Sequence, residues 1–164
     1  MTTKTILIAL MAVYMAVNTY IDIKLLITKN KWHLAFGIGN ILFGTMVLNQ
    51  IMDLFLSLVV SLLIGIIVRK IPRTTLGAGD IKMFMVNGLF LQNIFPFSNP
   101  IVLILIMIFL YQIISFLQRL ILIAVKAMKK QQDFSFHTYR IKNGIIETPE
   151  SLPIFIAVFI ITQI

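Results

Sequence analysis

The 164-residue sequence contains no cysteine and little charge, and both shortages restrict what the protein can be. Without cysteine the chain has no disulfide, no thiolate nucleophile and no cysteine-ligated zinc. Charged residues make up only 12% of the chain, about half of what an ordinary soluble domain carries. A chain this poor in charge cannot cover a water-exposed surface, so the sequence predicts a protein surrounded by lipid.

Hydrophobic residues make up 59% of the sequence, and the mean hydropathy is +0.99. They fall into six apolar runs, at about 5–21, 34–52, 54–68, 83–97, 100–125 and 151–164. Lipid admits only helices and closed barrels, and none of these runs alternates as a half-buried strand would. We therefore predict an all-α, polytopic membrane bundle of six transmembrane helices, forming one domain over residues 1–164.

Positive charge is distributed unevenly along the chain. Of the 14 lysines and arginines, 13 lie in or beside three connections, at about 22–33, 69–82 and 126–150, and only Lys4 lies on the other side. The positive-inside rule then places these connections in the cytoplasm and both termini outside. The net charge of +8 therefore indicates membrane sidedness, and we expect no nucleic-acid partner. The first run ends without a signal-peptide cleavage site, so we expect it to be retained.

Some charged residues have ordinary explanations. Asp53 is predicted to lie in an external turn, and Glu150, like the other acids of the third connection, Asp133 and Glu147, is predicted to be solvated. Arg119 lies inside the fifth run, where it must snorkel or find a partner. The interpretation we prefer is that the span ends near Gln118 and an interfacial helix follows.

Asp22 and Asp80 differ from the other acids because each is predicted at the cytoplasmic end of a helix. Two carboxylates at the same depth can share a proton, so that one activates water as a base and the other acts as an acid. Such a pair titrates as a unit. The alternative is that both are plain interfacial aspartates, which a six-span protein can also carry.

The residues around Asp80 form the segment Gly77-Ala-Gly-Asp80, followed by Ile81-Lys82. Glycines permit positive φ and let another chain lie close against the backbone, which suits a site that holds an extended peptide beside an acid. A plain helix start, with Asp80 as the cap, explains the same residues.

This segment resembles the GxGD-x-K signature of the type IV prepilin peptidases. The first connection resembles the family as well, since an aspartate closing the first span is followed there by a basic stretch and Ile-Pro-Asn. At the matching offsets this chain has Thr28, Lys29 and Asn30, of which only the asparagine is kept. Pro153 lies in a proline-containing approach to the last span, as in the family.

The resemblance implies a membrane aspartic endopeptidase that removes the basic leader of prepilin-like precursors at the cytoplasmic membrane face. It assigns catalysis to Asp22 and Asp80, supporting or substrate-binding roles to Gly77, Gly79, Lys82, Asn30 and Pro153, and no metal or cofactor. The expected partners are a prepilin-like substrate, the lipid bilayer and pilus or secretion assembly proteins. N-methylation of the product is not expected, because the cysteine-bearing domain of methylating relatives is missing.

Three other interpretations stay open. The chain can be a non-catalytic relative that acts in pilus or secretion assembly, or a small transporter subunit in which Asp22, Asp80 and Lys82 relay ions or protons. A presenilin-like protease also uses a GxGD site, but its first aspartate lies inside a long span. The two histidines, His33 and His137, lack metal-ligand spacing and are predicted to be solvated.

Overall fold

The computed structural model describes residues 2–25, 30–70, 76–128, 140–142, 145–147 and 149–163. The residues named above that lie outside this described part are Thr28, Lys29, Asp133 and His137. The described residues form six helices and one pair of short strands.

The helices are α1 (Thr3–Leu25), α2 (Asn30–Met46), α3 (Ile51–Lys70), α4 (Ala78–Ile94), α5 (Pro100–Met128) and α6 (Ser151–Gln163), and the strands are β1 (Arg140–Lys142) and β2 (Ile145–Glu147). The strands pair antiparallel, with Ile141 opposite Ile146. The predicted helical bundle is therefore confirmed, and the strand pair within the third basic connection is a small addition to it.

The helices extend further into the basic connections than the apolar runs do. The first helix continues past Asp22 to Leu25, and the second begins at Asn30. In the other direction, the second apolar run is longer than its helix, because α2 ends at Met46 and the chain turns over residues 47–50. Asn49 adopts φ 53° in this turn, a left-handed conformation that asparagine tolerates better than most residues. The apolar composition therefore continues through the turn, although the helix has already ended.

The fifth helix runs without interruption from Pro100 to Met128. The predicted end of the span near Gln118, with a separate interfacial helix after it, is therefore wrong. Arg119 remains helical because it has a buried partner, which is described below.

Three helices are long and apolar enough to cross a membrane, among the parts of the chain that the structure describes: α1 over Thr3–Lys24, α3 over Ile51–Lys70 and α5 over Pro100–Ala124. The other three are shorter, with 17 residues each in α2 and α4 and 13 in α6. Many large apolar side chains of the bundle are exposed, including Phe55, Phe109 and Phe116. An apolar exterior of this kind indicates a protein that associates with a membrane.

The central helix of the bundle is α4, which contacts each of the other five helices. Of its 17 residues, 13 are buried, including the polar residues Asn87, Gln92 and Asn93. Because its neighbours cover it, α4 tolerates amide side chains that would be costly against lipid.

Small residues allow α3 to approach α4 closely. Ser57, Ser61 and Gly65 recur every four residues on α3, and such small side chains let membrane helices pack backbone to backbone. A β-carbon at Gly65 would lie 3.0 Å from Cγ2 of Ile81, and one at Gly88 would meet the Ser57 and Ser61 hydroxyls. This contact fixes the position of α4, and therefore of its first turn.

Candidate active site

Asp22 lies at the end of the bundle where α1 finishes and α6 begins. Its side chain is buried, and its Oδ2 accepts a hydrogen bond of 3.1 Å from the backbone N–H of Ser151. That N–H belongs to the first turn of α6, which has no partner within its own helix. The carboxylate of α1 therefore completes the hydrogen bonding of α6 and ties the two helices together.

Asp80 lies in the first turn of α4, and its side chain is also buried. Its Oδ2 accepts a 2.7 Å hydrogen bond from the backbone N–H of Gly77, the residue that caps the helix. The cap of α4 is therefore Gly77 and not Asp80, which instead accepts the N–H of the cap residue from within the first turn. This hydrogen bond fixes one carboxylate oxygen in a defined orientation.

Gly77 has φ −84° and ψ 169°, an extended conformation open to any residue, so positive φ does not explain this glycine. Close approach explains it, because a β-carbon at Gly77 would lie 3.2 Å from Oδ2 of Asp80. Gly79 follows in the first turn of α4, where it is partly exposed. The two glycines leave the backbone beside Asp80 without side chains.

The structure brings Asp22 and Asp80 to the same end of the bundle. The helices that carry them, α1 and α4, contact each other and both contact α6. Glu150 lies at this end too, because it directly precedes Ser151, whose N–H binds Asp22. Three carboxylates therefore share this end, and the burial of one of them was not expected.

Glu150 is the unexpected member, because it is almost fully buried at 2% exposure. Its Oε1 accepts a 2.7 Å ion-paired hydrogen bond from Nη2 of Arg119, and its Oε2 accepts bonds of 2.9 Å from the hydroxyls of Tyr111 and Ser115. The prediction of a solvated Glu150 is therefore wrong. All three donors come from α5, so the side chain binds α5 to the start of α6.

A sequence signal for this cluster existed. An arginine inside an apolar run requires a partner, and Glu150 is the acid closest to the start of the last helix. On α5, Tyr111, Ser115 and Arg119 are spaced by four residues and so lie on one helix face. Glu150 immediately precedes Ser151, whose N–H binds Asp22. The cluster thus positions the amide that contacts a predicted catalytic residue.

Lys82 and Asn30, two of the predicted supporting residues, contact each other directly. Nζ of Lys82 donates a 2.7 Å hydrogen bond to Oδ1 of Asn30, at the exposed start of α2. The lysine is exposed, and its hydrogen bond joins the first turn of α4 to the start of α2. Pro153, another predicted supporting residue, is buried in the first turn of α6.

His33 is buried, so the prediction that it is solvated is wrong. Its Nδ1 lies 2.7 Å from the hydroxyl of Tyr14, at hydrogen-bond distance. The neighbouring Trp32 is partly exposed and stacks on Phe36, with ring centroids 5.8 Å apart. The histidine therefore links α1 to α2 and is removed from solvent by aromatic packing.

The arrangement suits acid–base chemistry with carboxylates. Among the described residues, no group of three histidine, aspartate or glutamate side chains is arranged to hold a metal ion. Two buried carboxylates with fixed oxygens, next to a bare stretch of backbone, are the groups that can activate water and protonate a carbonyl oxygen.

Comparisons of the chain with protein-family models, with curated proteins and with solved structures found no match.

Proposed function

We propose that this chain is a membrane aspartic endopeptidase of the type IV prepilin peptidase kind, with Asp22 and Asp80 as its catalytic residues. The observation that carries the proposal is the burial of these two aspartates at one end of the bundle, each with one oxygen held by a backbone amide. The resemblance of the Gly77–Lys82 segment to the family signature supports it.

In the proposed reaction, the two carboxyl groups hold one proton between them. The ionised carboxylate takes a proton from water, and the water oxygen bonds to the carbonyl carbon of the scissile peptide while the protonated carboxyl gives its proton to the carbonyl oxygen. Collapse of the tetrahedral diol breaks the C–N bond, and the leaving nitrogen takes the proton that the first carboxylate had removed from water. One hydroxyl of the diol returns a proton to the second carboxyl, so the pair again holds one proton. The products are a free carboxylate and a free amine.

The proposed substrate is a prepilin-like precursor with a short basic leader followed by an apolar helix. Cleavage at the membrane surface places the scissile bond at the depth of Asp22 and Asp80. A transporter, by contrast, would carry ionisable groups near the bilayer midplane. Here the three buried carboxylates lie together at one end of the helices.

Co-expression with a pilin-like precursor tests this function. The size of the precursor is followed on gels for wild type, Asp22→Asn and Asp80→Asn. Asparagine keeps a hydrogen-bond acceptor for the amides of Ser151 and Gly77 but cannot exchange a proton. We expect each variant to lose at least about 100-fold in cleavage rate, the lower range for removal of an acid or base.

The matched control is Asp53→Asn, because Asp53 lies in the first turn of α3, at the other end of the bundle. This variant should cleave as wild type does. If Asp22→Asn and Asp80→Asn also cleave as wild type, the peptidase proposal is wrong. If cleavage is never seen but pilus assembly needs the wild-type chain and tolerates both asparagine variants, a non-catalytic assembly role replaces it.

We further propose that all six helices lie across the membrane, with the carboxylates at the cytoplasmic face and both termini outside. Lys24, Arg69 and Lys70 close α1 and α3 at the carboxylate end, whereas Lys4 lies over the ring of Phe95 at the opposite end. This charge distribution supports the orientation through the positive-inside rule.

The absence of cysteine makes the orientation easy to test by single-cysteine labelling in intact cells. Lys4→Cys should react with an impermeant maleimide added outside, and Lys24→Cys should react only after the membrane is opened. Labelling in the reverse pattern would overturn the orientation without affecting the assignment of the catalytic residues.

A further inference from the structure

A groove of about 470 Å³ runs along the outside of the bundle between α2 and α4, with Leu58 of α3 on one side. Most of its lining is apolar, including the exposed side chains of Leu34 and Ile38. One end differs, because Lys31 and Lys82 stand there. The groove is therefore a long apolar surface with positive charge at one end.

Within the described residues, no acidic side chain compensates the charge of these two lysines. The partner of Lys82 is the neutral amide of Asn30, and a lysine ammonium has two further donors. Among the described residues, neither lysine forms an ion pair, and no aspartate or glutamate lines the groove. An occupant with a negative group at this end and hydrocarbon along the rest would be complementary to it.

The length of the groove matches one leaflet. Its α2 side extends from Asn30 to Ile41, which corresponds to about 16 Å at 1.5 Å per residue. Half of a hydrocarbon core of about 30 Å is about 15 Å. An acyl chain whose headgroup lies at the basic end therefore fits the groove within a single leaflet.

We propose that this groove is a binding site for an anionic phospholipid, with one acyl chain along α2 and α4 and the phosphate headgroup on Lys31 and Lys82. Basic pockets between membrane helices on the cytoplasmic side are typical places for anionic headgroups. The site shares Lys82 with the predicted peptidase site but does not include Asp22 or Asp80, and its test measures lipid binding without using peptidase activity.

The single tryptophan provides a direct reporter. Trp32 is 39% exposed, follows Lys31 in the first turn of α2 and is fixed by stacking on Phe36. Purified full-length protein is placed in phosphatidylcholine vesicles that contain a small fraction of bromine-labelled lipid, either phosphatidylglycerol or phosphatidylcholine. Because brominated chains quench nearby indoles, stronger quenching by phosphatidylglycerol measures selective binding.

For wild type, we expect brominated phosphatidylglycerol to quench Trp32 at a much lower mole fraction of the vesicle lipid than brominated phosphatidylcholine does. Lys31→Gln and Lys82→Gln should each weaken this preference about fivefold, the effect of one basic residue at an anionic surface. Inorganic phosphate should not compete, since it lacks the acyl chain. Equal quenching by the two lipids in wild type would overturn the proposal.

Substitutions at two glycines of α2 provide a matched pair of variants that tests where the acyl chain lies. Gly37 lines the groove, and a β-carbon there would be 3.8 Å from Val86, so a larger side chain can enter the groove without a clash at its base. Gly39 lies outside the lining, and a β-carbon there meets nothing within 4 Å. Gly37→Leu should reduce quenching by phosphatidylglycerol, and Gly39→Leu should leave it unchanged. Equal quenching in the two variants would contradict the placement of the acyl chain in the groove.

Discussion

The two ends of α4 are joined to their neighbours by different chemistry. At its start, the bundle buries the carboxylates of Asp22, Asp80 and Glu150. Near its other end, Nδ2 of Asn93 donates hydrogen bonds of 3.0 Å to the backbone carbonyl and to Oδ1 of Asn40. Both arrangements connect helices through buried polar groups, but only the first uses ionisable ones.

The two kinds of contact differ in what their burial costs. Neutral amides can join helices with a smaller desolvation penalty than carboxylates, which need well-placed partners to be buried at all. Carboxylates can also exchange protons, which amides cannot, so the acidic end is where the proposed acid–base chemistry would take place.

Of the substitutions that test the difference between the two ends of α4, Arg119→Met should lower the stability most. Methionine keeps the apolar contacts of the arginine stem but removes the cation from Glu150, while the Tyr111 and Ser115 hydroxyls remain. We expect the free energy of unfolding to fall by about 3 to 5 kcal/mol, the range for breaking a buried ion pair from one side. The measurement is equilibrium unfolding in mixed micelles.

The double variant Arg119→Met with Glu150→Gln serves as the control, since it removes both charges. It should recover much of the lost stability. If Arg119→Met alone is as stable as wild type, the ion pair contributes nothing to the free energy of unfolding.

Two tyrosines allow a matched comparison between a hydrogen bond to a charged acceptor and one to a neutral ring, with smaller expected losses of stability. Tyr111 donates to the carboxylate of Glu150, and Tyr14 shares its hydrogen bond with the ring of His33. Tyr111→Phe should lower the free energy of unfolding by about 1.5 to 3 kcal/mol, as expected for a hydrogen bond to a charged group. Tyr14→Phe should lower it by about 0.6 kcal/mol, the average for a neutral bond between membrane helices.

Both tyrosines are almost fully buried, so the same unfolding experiment compares them directly. Equal losses for the two variants would show that the charge of Glu150 does not strengthen its hydrogen bonds.

At the amide end, the expected loss of stability is smaller than for either substitution at the Glu150 cluster. Asn93→Ala removes the donor to Asn40 and should lower the free energy of unfolding by about 0.6 to 1.7 kcal/mol. Its cleavage rate on a pilin-like precursor should match that of wild type, because α4 still presents Asp80 at its far end. A cleavage defect as large as that of Asp80→Asn would show that the two ends do not act separately.

Helix content and helix order were predictable because they depend on local composition. Each apolar run predicted one helix, and the confinement of Asp22 and Asp80 to one end followed from counting runs. Helix ends were less predictable, since Lys24 and Lys31 are charged yet remain helical where their side chains reach solvent. A polar residue marks the end of an apolar run, not the end of a helix.

The buried polar pairs were not predictable from local sequence. Glu150 meets Arg119, and His33 meets Tyr14, only after separate helices have packed. Glu150 and His33 both fall in the polar connections between apolar runs, so composition predicts that they are solvated, whereas tertiary contacts remove both from water. In an apolar chain, a charge inside an apolar run, such as Arg119, is the best local indication that another polar group will join it.

The enclosure of α4 by five other helices also affects how solvent reaches the protein. Its backbone amides can exchange with deuterated water only when the surrounding helices separate, so their exchange rates report the opening of the whole bundle. Asp80 lies at the boundary of this protected segment, where 9% of the residue remains exposed. Ala78 and Lys82 are exposed beside it, so the first turn is the part of α4 that solvent can reach without opening of the bundle.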